Sequence, residues 1–223
     1  MTSDELSELV RDCPVLYHMA ARGSWSSIRR HGLLSTSSLL DLHGIKDMAR
    51  SVIESERRPE GVAIDSPSLG RAVIRDQKPM DDAGLRRCLQ DGLTPADWYR
   101  MLNKRVFLWL TRDRLLRLLS ARPYRDLEHD VLELDTQPLV RACMDRITLS
   151  PINSGATRPF PRDRGLDTFL PISSYPYAKW RTRRKPGERV ELTVTGGIEN
   201  IDRFVIRVSA MCGSKVGEVL FER

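Results

Sequence analysis

The 223-residue sequence predicts an α+β fold in one domain. Three observations point there. Amphipathic helical stretches alternate with short apolar runs through the first two thirds of the chain. Three strand-like runs then close it, which concentrates β-structure at the end, and no repeat or low-complexity segment interrupts the pattern. A hydrophobic content of 40%, against 30% charged residues, is enough to bury a core.

The elements follow in order. Thr2 and Glu5 stand at capping-box spacing, which predicts a helix with Leu6 and Val10 on one face. Residues 14–18 read as a short strand. Ser24 opens a helix carrying Trp25, Ile28 and Arg29, and Gly32 ends it. Residues 39–42 and 46–57 are helical in pattern, the second stopping before Pro59, and 61–64 and 71–74 are strand candidates. Thr94-Pro95-Ala96-Asp97 is a helix start, with a capping hydroxyl, proline at the first helical position and a carboxylate at the positive end of the dipole. That helix runs to about Asn103. An apolar strand follows over 106–110, a helix over 113–121 ended by Pro123, a strand over 131–134, and a helix from Thr136 to about Met144. Residues 150–189 are rich in Pro, Gly, Ser, Asp and Arg, with a short helix expected near Tyr177. A loop of that length inside one domain is usually functional. The closing strands are 190–194, 204–208 and 218–221.

Several classes of function are excluded. Residues 1–11 carry Asp4, Glu5 and Glu8 and no apolar run, so no secretory signal is expected, and no stretch approaches the roughly 18 apolar residues of a membrane helix. The expectation is a soluble, cytoplasmic protein without a membrane partner. Cys13, Cys88, Cys143 and Cys212 are scattered with no C-x-x-C pair, which fits buried thiols in a reducing compartment better than a zinc knuckle or a disulfide scaffold. No Walker loop, G-x-S-x-G elbow, H-E-x-x-H or G-x-G-x-x-G is present. His18, His31, His43 and His129 share no metal-ligand spacing, and no metal is expected.

Charge is concentrated. The net charge is +6, and residues 179–189 alone carry +5. Such a run is either a solvated loop or a groove for a phosphate-rich partner that gains affinity by counterion release.

Three segments, read together, resemble the ADP-ribosyltransferase superfamily, in particular its DarT-like branch, which modifies DNA bases. The first is Leu16-Tyr17-His18-Met19 followed by Trp25, Ser27-Ile28 and Gly32-Leu33-Leu34, with Ala20 near the place where the family carries a threonine. The second is Arg105-Val-Phe-Leu-Trp-Leu-Thr111. The third is Arg189-Val-Glu191-Leu-Thr-Val194, followed by Gly-Gly-Ile198 and the strand over 204–208. The resemblance implies split mixed β-sheets flanked by helices, NAD as the ADP-ribose donor and Glu191 as the catalytic carboxylate. It also implies a nucleic-acid base as acceptor, DNA ahead of RNA and single-stranded when modified. A toxin role with an ADP-ribose hydrolase antitoxin follows from the same resemblance.

Each residue has a chemical reason and a plainer alternative. Breaking the nicotinamide–ribose bond passes through a transition state of oxocarbenium character, which a preplaced carboxylate stabilises. Glu191 can bind the ribose 2′-hydroxyl and take a proton from the nucleophile. Alternatively it faces outward, alternating with Val190 and Leu192. His18 can hold an NAD ribose hydroxyl and so belongs to both the catalytic and the NAD-binding set, or it is structural. Tyr17 is a core residue or an NAD contact. Phe107 and Trp109 share a strand face and either stack on nicotinamide or fill the core. Arg75, with Arg71 second, suits a pyrophosphate, or else forms a surface salt bridge. The loop from Tyr175 to Arg189, with Lys179, Trp180, Arg181, Arg183, Arg184 and Lys185, mixes flat rings with cations just before Glu191, a composition for stacking bases and tracking phosphates. A base acceptor must be unstacked to be reached. Residues 153–157 and 167–169 fall near the cleft without a role.

Three other readings stay open: an RNA 2′-phosphotransferase-like NAD enzyme, which needs arginines and a histidine but no strand glutamate; a protein-modifying transferase; and a non-catalytic nucleic-acid module.

Overall fold

The computed structural model describes residues 1–178 and 191–223. It begins as the capping signal requires. Thr2 Oγ1 accepts from the Glu5 amide at 3.2 Å while the Glu5 carboxylate accepts from the Thr2 amide at 2.8 Å, and α1 (Ser3–Asp12) lays a fully buried Leu9 on the sheet. The remaining helices are α2 (Trp25–His31), α3 (Thr36–Leu42), α4 (Asp47–Ser55), α5 (Asp82–Cys88), α6 (Pro95–Asn103), α7 (Arg112–Leu119) and α8 (Thr136–Cys143). Helix α6 starts on a second capping box, Thr94 with Asp97, and has Pro95 in its first turn.

Eight strands form the main sheet: β1 (Val15–Ala21), β5 (Arg105–Trp109), β6 (Glu128–Asp135), β7 (Ile147–Ser150), β8 (Leu170–Pro171), β9 (Glu191–Thr195), β11 (Val205–Cys212) and β12 (Lys215–Glu222). Their order is β12-β11-β6-β1-β5-β9-β7-β8, and each of these ladders is antiparallel. The strands β3 (Val62–Ser66) and β4 (Gly70–Ile74) form a separate hairpin, and β2 (Leu33–Leu34) pairs with β10 (Gly197–Ile198).

The join between the two halves of the sheet matters most for function. Strand β1 pairs with β6 over all seven of its residues, from Val15↔Asp135 to Ala21↔His129, yet it meets β5 at a single pair, Tyr17↔Trp109. The halves therefore diverge beyond that pair, and a gap opens in the middle of the sheet. Alternation along the strands sorts the side chains onto two faces. Leu16, Leu108, Leu132, Leu134, Leu192 and Val194 pack with Leu9, Trp25 and Leu139 in the larger core. Met19, Val131 and Met211 pack beneath α7 with Leu115 and Leu119, and Met80, Leu85, Trp98 and Phe169 form a third cluster around α5 and α6. The result is one α+β domain.

The β2–β10 ladder explains two glycines. A Cβ at Gly32 (φ 90°) would lie 2.8 Å from the Ile198 carbonyl, and one at Gly197 (φ 141°) 2.8 Å from the Leu33 carbonyl. Only glycine allows both the approach and the backbone angle.

Several elements differ from the sequence expectation. Helix α5 and strand β7 were not expected, and β1, β11 and β12 run longer than expected because the β1–β6, β6–β11 and β11–β12 pairings continue through Ala21, Cys212 and Lys215. Cys13, Cys88 and Cys143 are buried and in no disulfide, and Cys212 is half-buried, its thiol turned to the Arg125 carbonyl at 3.5 Å. Among the described residues no helix is long and apolar enough to cross a membrane, and no cluster of His, Cys, Asp or Glu could hold a metal.

Candidate active site

A cavity of about 290 Å³ occupies the gap between β1 and β5. Its wall contains His18 from β1, Arg75 just after β4, Arg105, Phe107 and Trp109 from β5, and Glu191 from β9. Asn153 and Gly155, from the loop after β7, complete it beside Glu191.

Glu191 is the first residue of β9, opposite Trp109 on one side and Ser150 on the other. Only 3% of it is exposed, so its carboxylate is held by the protein and not by bulk water. Ser154 does the holding. Its amide donates to both carboxylate oxygens at 3.2 Å and its hydroxyl donates to Oε2 at 2.6 Å. Burial pushes the carboxyl pKa up to about 7; the Ser154 hydrogen bonds and the charges of Arg164 and Arg114 oppose that rise. Glu191 is therefore poised to exchange a proton near neutrality.

Ser154 is fixed in turn. Its carbonyl accepts from Arg164 Nη1 at 2.8 Å and from Trp98 Nε1 at 3.3 Å. Arg164 is itself buried, and it also donates to the carbonyls of Ala156 at 2.8 Å and Arg162 at 2.9 Å while lying over the Trp98 ring. One guanidinium thus organises the backbone from 154 to 162 behind the carboxylate.

His18 sits where the strands diverge. Its Nδ1 lies 2.9 Å from the Phe107 carbonyl, which can only accept, so Nδ1 carries the proton and Nε2 keeps a lone pair. Burial lowers its pKa to about 4, the Phe107 hydrogen bond resists that, and the charge of Arg75 adds to it. The ring is neutral at physiological pH. Arg75 donates to the Met19 carbonyl at 3.2 Å and lies over the Tyr124 ring, whose hydroxyl donates to Asp76 at 2.7 Å. Burial lowers its pKa, and it forms no salt bridge among the described residues. A half-buried guanidinium in a cavity wall, with no salt bridge to a carboxylate among the described residues, suits an anionic ligand.

A protein-family model, described as a family of unknown function (DUF7002), matches residues 14–205. The chain belongs to the DUF7002 family. Among curated proteins nothing matches it. The matched span of this DUF7002 chain contains every cavity residue discussed above.

The structure brings His18, Arg75, Phe107, Trp109 and Glu191 to one cavity. Glu191 faces that cavity and not the solvent. The expectation that Tyr17 contacts the cofactor needs correction, because Tyr17 does not line the cavity. It packs with Trp109 against the α7 cluster, and burial together with the charge of Glu133 raises its pKa. Tyr17 stands at the one point where β1 and β5 meet, paired with Trp109, so its ring stays in the layer under α7 and does not enter the gap beyond. Arg71 is exposed on β4 and also lies off the cavity. The basic stretch with Lys179, Trp180, Arg181, Arg183, Arg184 and Lys185 lies outside the described residues, as does Val190.

Sequence reasoning missed three contributors to this DUF7002 site. Ser154 lies in a segment read only as near the cleft, and nothing in its sequence context marks a carboxylate clamp. Arg164 is one of several arginines in a loop and stands out only by its burial. Arg105 lines the cavity with its guanidinium 4.4 Å over the Phe169 ring, and its Nε is buried without a hydrogen-bond partner. It shares the alternation of Phe107 and Trp109, which was the available signal.

Proposed function

We propose that this DUF7002 protein is an NAD-dependent ADP-ribosyltransferase that modifies a nucleic-acid base, with Glu191 as its catalytic carboxylate. The observation that carries the reading is a desolvated, hydrogen-bonded carboxylate sharing one cavity with a neutral histidine at the point where the sheet divides. NAD supplies the ADP-ribosyl group and loses nicotinamide. The Nε2 lone pair of His18 can accept from a ribose hydroxyl. Arg75 offers two-point hydrogen bonding to a pyrophosphate, and Arg105 adds a second cation in the same wall. Phe107 and Trp109 offer flat surfaces for a nicotinamide ring. Glu191, ionised and shielded from water, stabilises positive charge developing on the ribose and accepts the proton of the incoming base nitrogen.

The acceptor assignment rests on the sequence: one aromatic residue, Trp180, and six cations over 179–189 lead directly into Glu191. The same reading expects a single-stranded acceptor, a cytoplasmic setting and, as a partner, a hydrolase that removes the ADP-ribose mark as an antitoxin would.

The test incubates purified protein with NAD and mixed single-stranded oligonucleotides, and follows nicotinamide release and product mass. One ADP-ribose per modified base, absent with Glu191→Gln, supports the reading. Removal of an RNA 2′-phosphate that survives Glu191→Gln would replace it with the phosphotransferase reading, which the arginines in the cavity wall also suit. Labelled protein in the absence of nucleic acid would reassign the acceptor.

A further inference from the structure

The loop between β7 and β8 displays one side chain that the core does not explain. Phe160 is 82% exposed, the highest value of any large hydrophobic side chain among the described residues, and its ring stacks on no aromatic ring there. Pro159 and Pro161 flank it, which fixes two φ angles on either side of a bend at Phe160. Arg158 and Arg162, both exposed, stand on either side of the prolines. The acidic residues that follow are turned elsewhere, since Asp163 and Asp167 line a separate groove with Asp91.

The loop that bears Phe160 is moored at both ends. The Thr157 amide donates to the Pro79 carbonyl at 3.1 Å, and Thr157 Oγ1 accepts from the Asp81 amide at 3.0 Å. Arg158 Nε donates to Asp81 at 3.0 Å, yet two thirds of that side chain remains exposed. On the far side, Arg164 ties down the carbonyls of residues 154, 156 and 162. The same loop contributes Asn153 and Gly155 to the cavity wall, and its mooring residue Pro79 lines the cavity too. Phe160 stands three positions after Thr157, which is bonded to Pro79 of that wall, so its backbone lies within about 15 Å of it. A loop moored on both sides thus presents a bare ring between two cations near the candidate active site.

We infer that Phe160, flanked by Arg158 and Arg162, is a stacking platform for a base of a single-stranded nucleic acid bound at the Glu191 cavity. This rests on the proposed transfer to a base. The ring offers a face that any base can cover, and the guanidinium groups suit the phosphates on either side, so binding is tolerant of sequence. Because the loop is already ordered, little conformational entropy is lost on docking.

The experiment uses the full chain and a fluorescein-labelled, mixed-sequence single strand of about twelve nucleotides, within the site sizes usual for such binding. Fluorescence anisotropy is read for the wild type, Phe160→Ala, Phe160→Trp and Arg162→Gln, with DNA and RNA strands in parallel. Phe160→Ala is expected to weaken binding of at least one strand type by about 5- to 100-fold, with an unchanged melting temperature because the ring is solvent-exposed. Phe160→Trp should retain affinity. Arg162→Gln should reduce the slope of log affinity against log salt by about one. The inference is overturned by wild-type affinity in Phe160→Ala, by a blunt duplex that binds as tightly as the single strand, or by no binding of either strand. Nicotinamide release from NAD, measured alongside, separates the two ideas. Loss of strand binding in Phe160→Ala with no NAD cleavage by the wild type keeps the platform and removes the transferase. NAD cleavage that requires Glu191, with Phe160→Ala binding normally, does the reverse.

Discussion

Ser154 donates to Glu191 twice, from its backbone amide at 3.2 Å and from its hydroxyl at 2.6 Å. Both bonds favour the ionised carboxylate and so offset part of the burial that raises its pKa to about 7. Ser154→Ala removes the shorter bond and keeps the amide. The rising limb of the pH–rate profile is then expected to move to higher pH, and kcat to fall roughly 10-fold, as loss of a charged hydrogen bond suggests. KM for NAD should change little, because Ser154 contacts the carboxylate and is not itself in the cavity wall. A limb that stays in place while kcat falls would show that Ser154 does not set the carboxylate's proton affinity.

Glu191→Gln makes a second prediction, about stability. The ordinary glutamate pKa is 4.5 and the folded value is about 7. Between those values the unfolded chain has lost the proton that the folded chain still holds, so stability contributed by Glu191 falls as pH rises through that window. The full cost at alkaline pH is on the order of 3 kcal/mol. Glutamine can still meet Ser154 and never ionises. The variant should therefore melt several degrees above the wild type near pH 8 and lose most of that advantage near pH 4, and on the proposed mechanism it should be inactive at both. Thermal melts at both pH values decide it, and an advantage independent of pH would count against a buried, titrating carboxylate.

His18 titrates in the opposite sense. Its pKa is lowered from 6.5 to about 4, so between these values the unfolded chain binds a proton that the folded chain refuses. Its contribution to stability is complete above the unfolded pKa and is lost as pH falls through the folded one. His18→Gln retains a donor for the Phe107 carbonyl and cannot protonate. It should flatten the fall in the urea midpoint from about pH 7 to about pH 5, and it should also weaken ADP-ribose binding. An undiminished acid-side loss would mean that another group titrates there.

Much of the frame was legible because it rests on local rules. The capping boxes at Thr2 and Thr94, the glycine stop at Gly32 and the Gly-Gly turn after β9 are each encoded within four residues. The meeting of His18, Arg75, Phe107, Trp109 and Glu191 was accessible only through the resemblance, since no local pattern encodes which strands diverge. Helix α5 was hidden by Gly84, a poor helix former; a Cβ there would sit 2.8 Å from Thr157. Strand β7 has only four residues, two of them hydroxylated, and it gains its place by pairing with β9, far away in sequence. Ser154 and Arg164 act through contacts of the same long-range kind.

Arg75 gives the last test. Its guanidinium lies over Tyr124, anchored to the Met19 carbonyl and close enough to His18 to disfavour its charged form. If it binds a pyrophosphate, losing it removes charge-assisted hydrogen bonds worth roughly 1.5–3 kcal/mol, or about 10- to 100-fold in affinity for ADP-ribose. Arg75→Met retains bulk over the Tyr124 ring and spares the fold the cost of a desolvated cation, so stability should change by about 1 kcal/mol or less. Arg75→Lys keeps the charge but loses the planar two-point geometry, and should recover only part of the affinity. The pKa of His18 should rise in Arg75→Met and not in Arg75→Lys, because the repulsion depends on charge alone. Calorimetric titration with ADP-ribose and NMR titration of His18 report the two effects separately. Unchanged ADP-ribose affinity in Arg75→Met would assign the residue to packing, whereas a rise in the His18 pKa alone would leave it an electrostatic neighbour and no ligand contact.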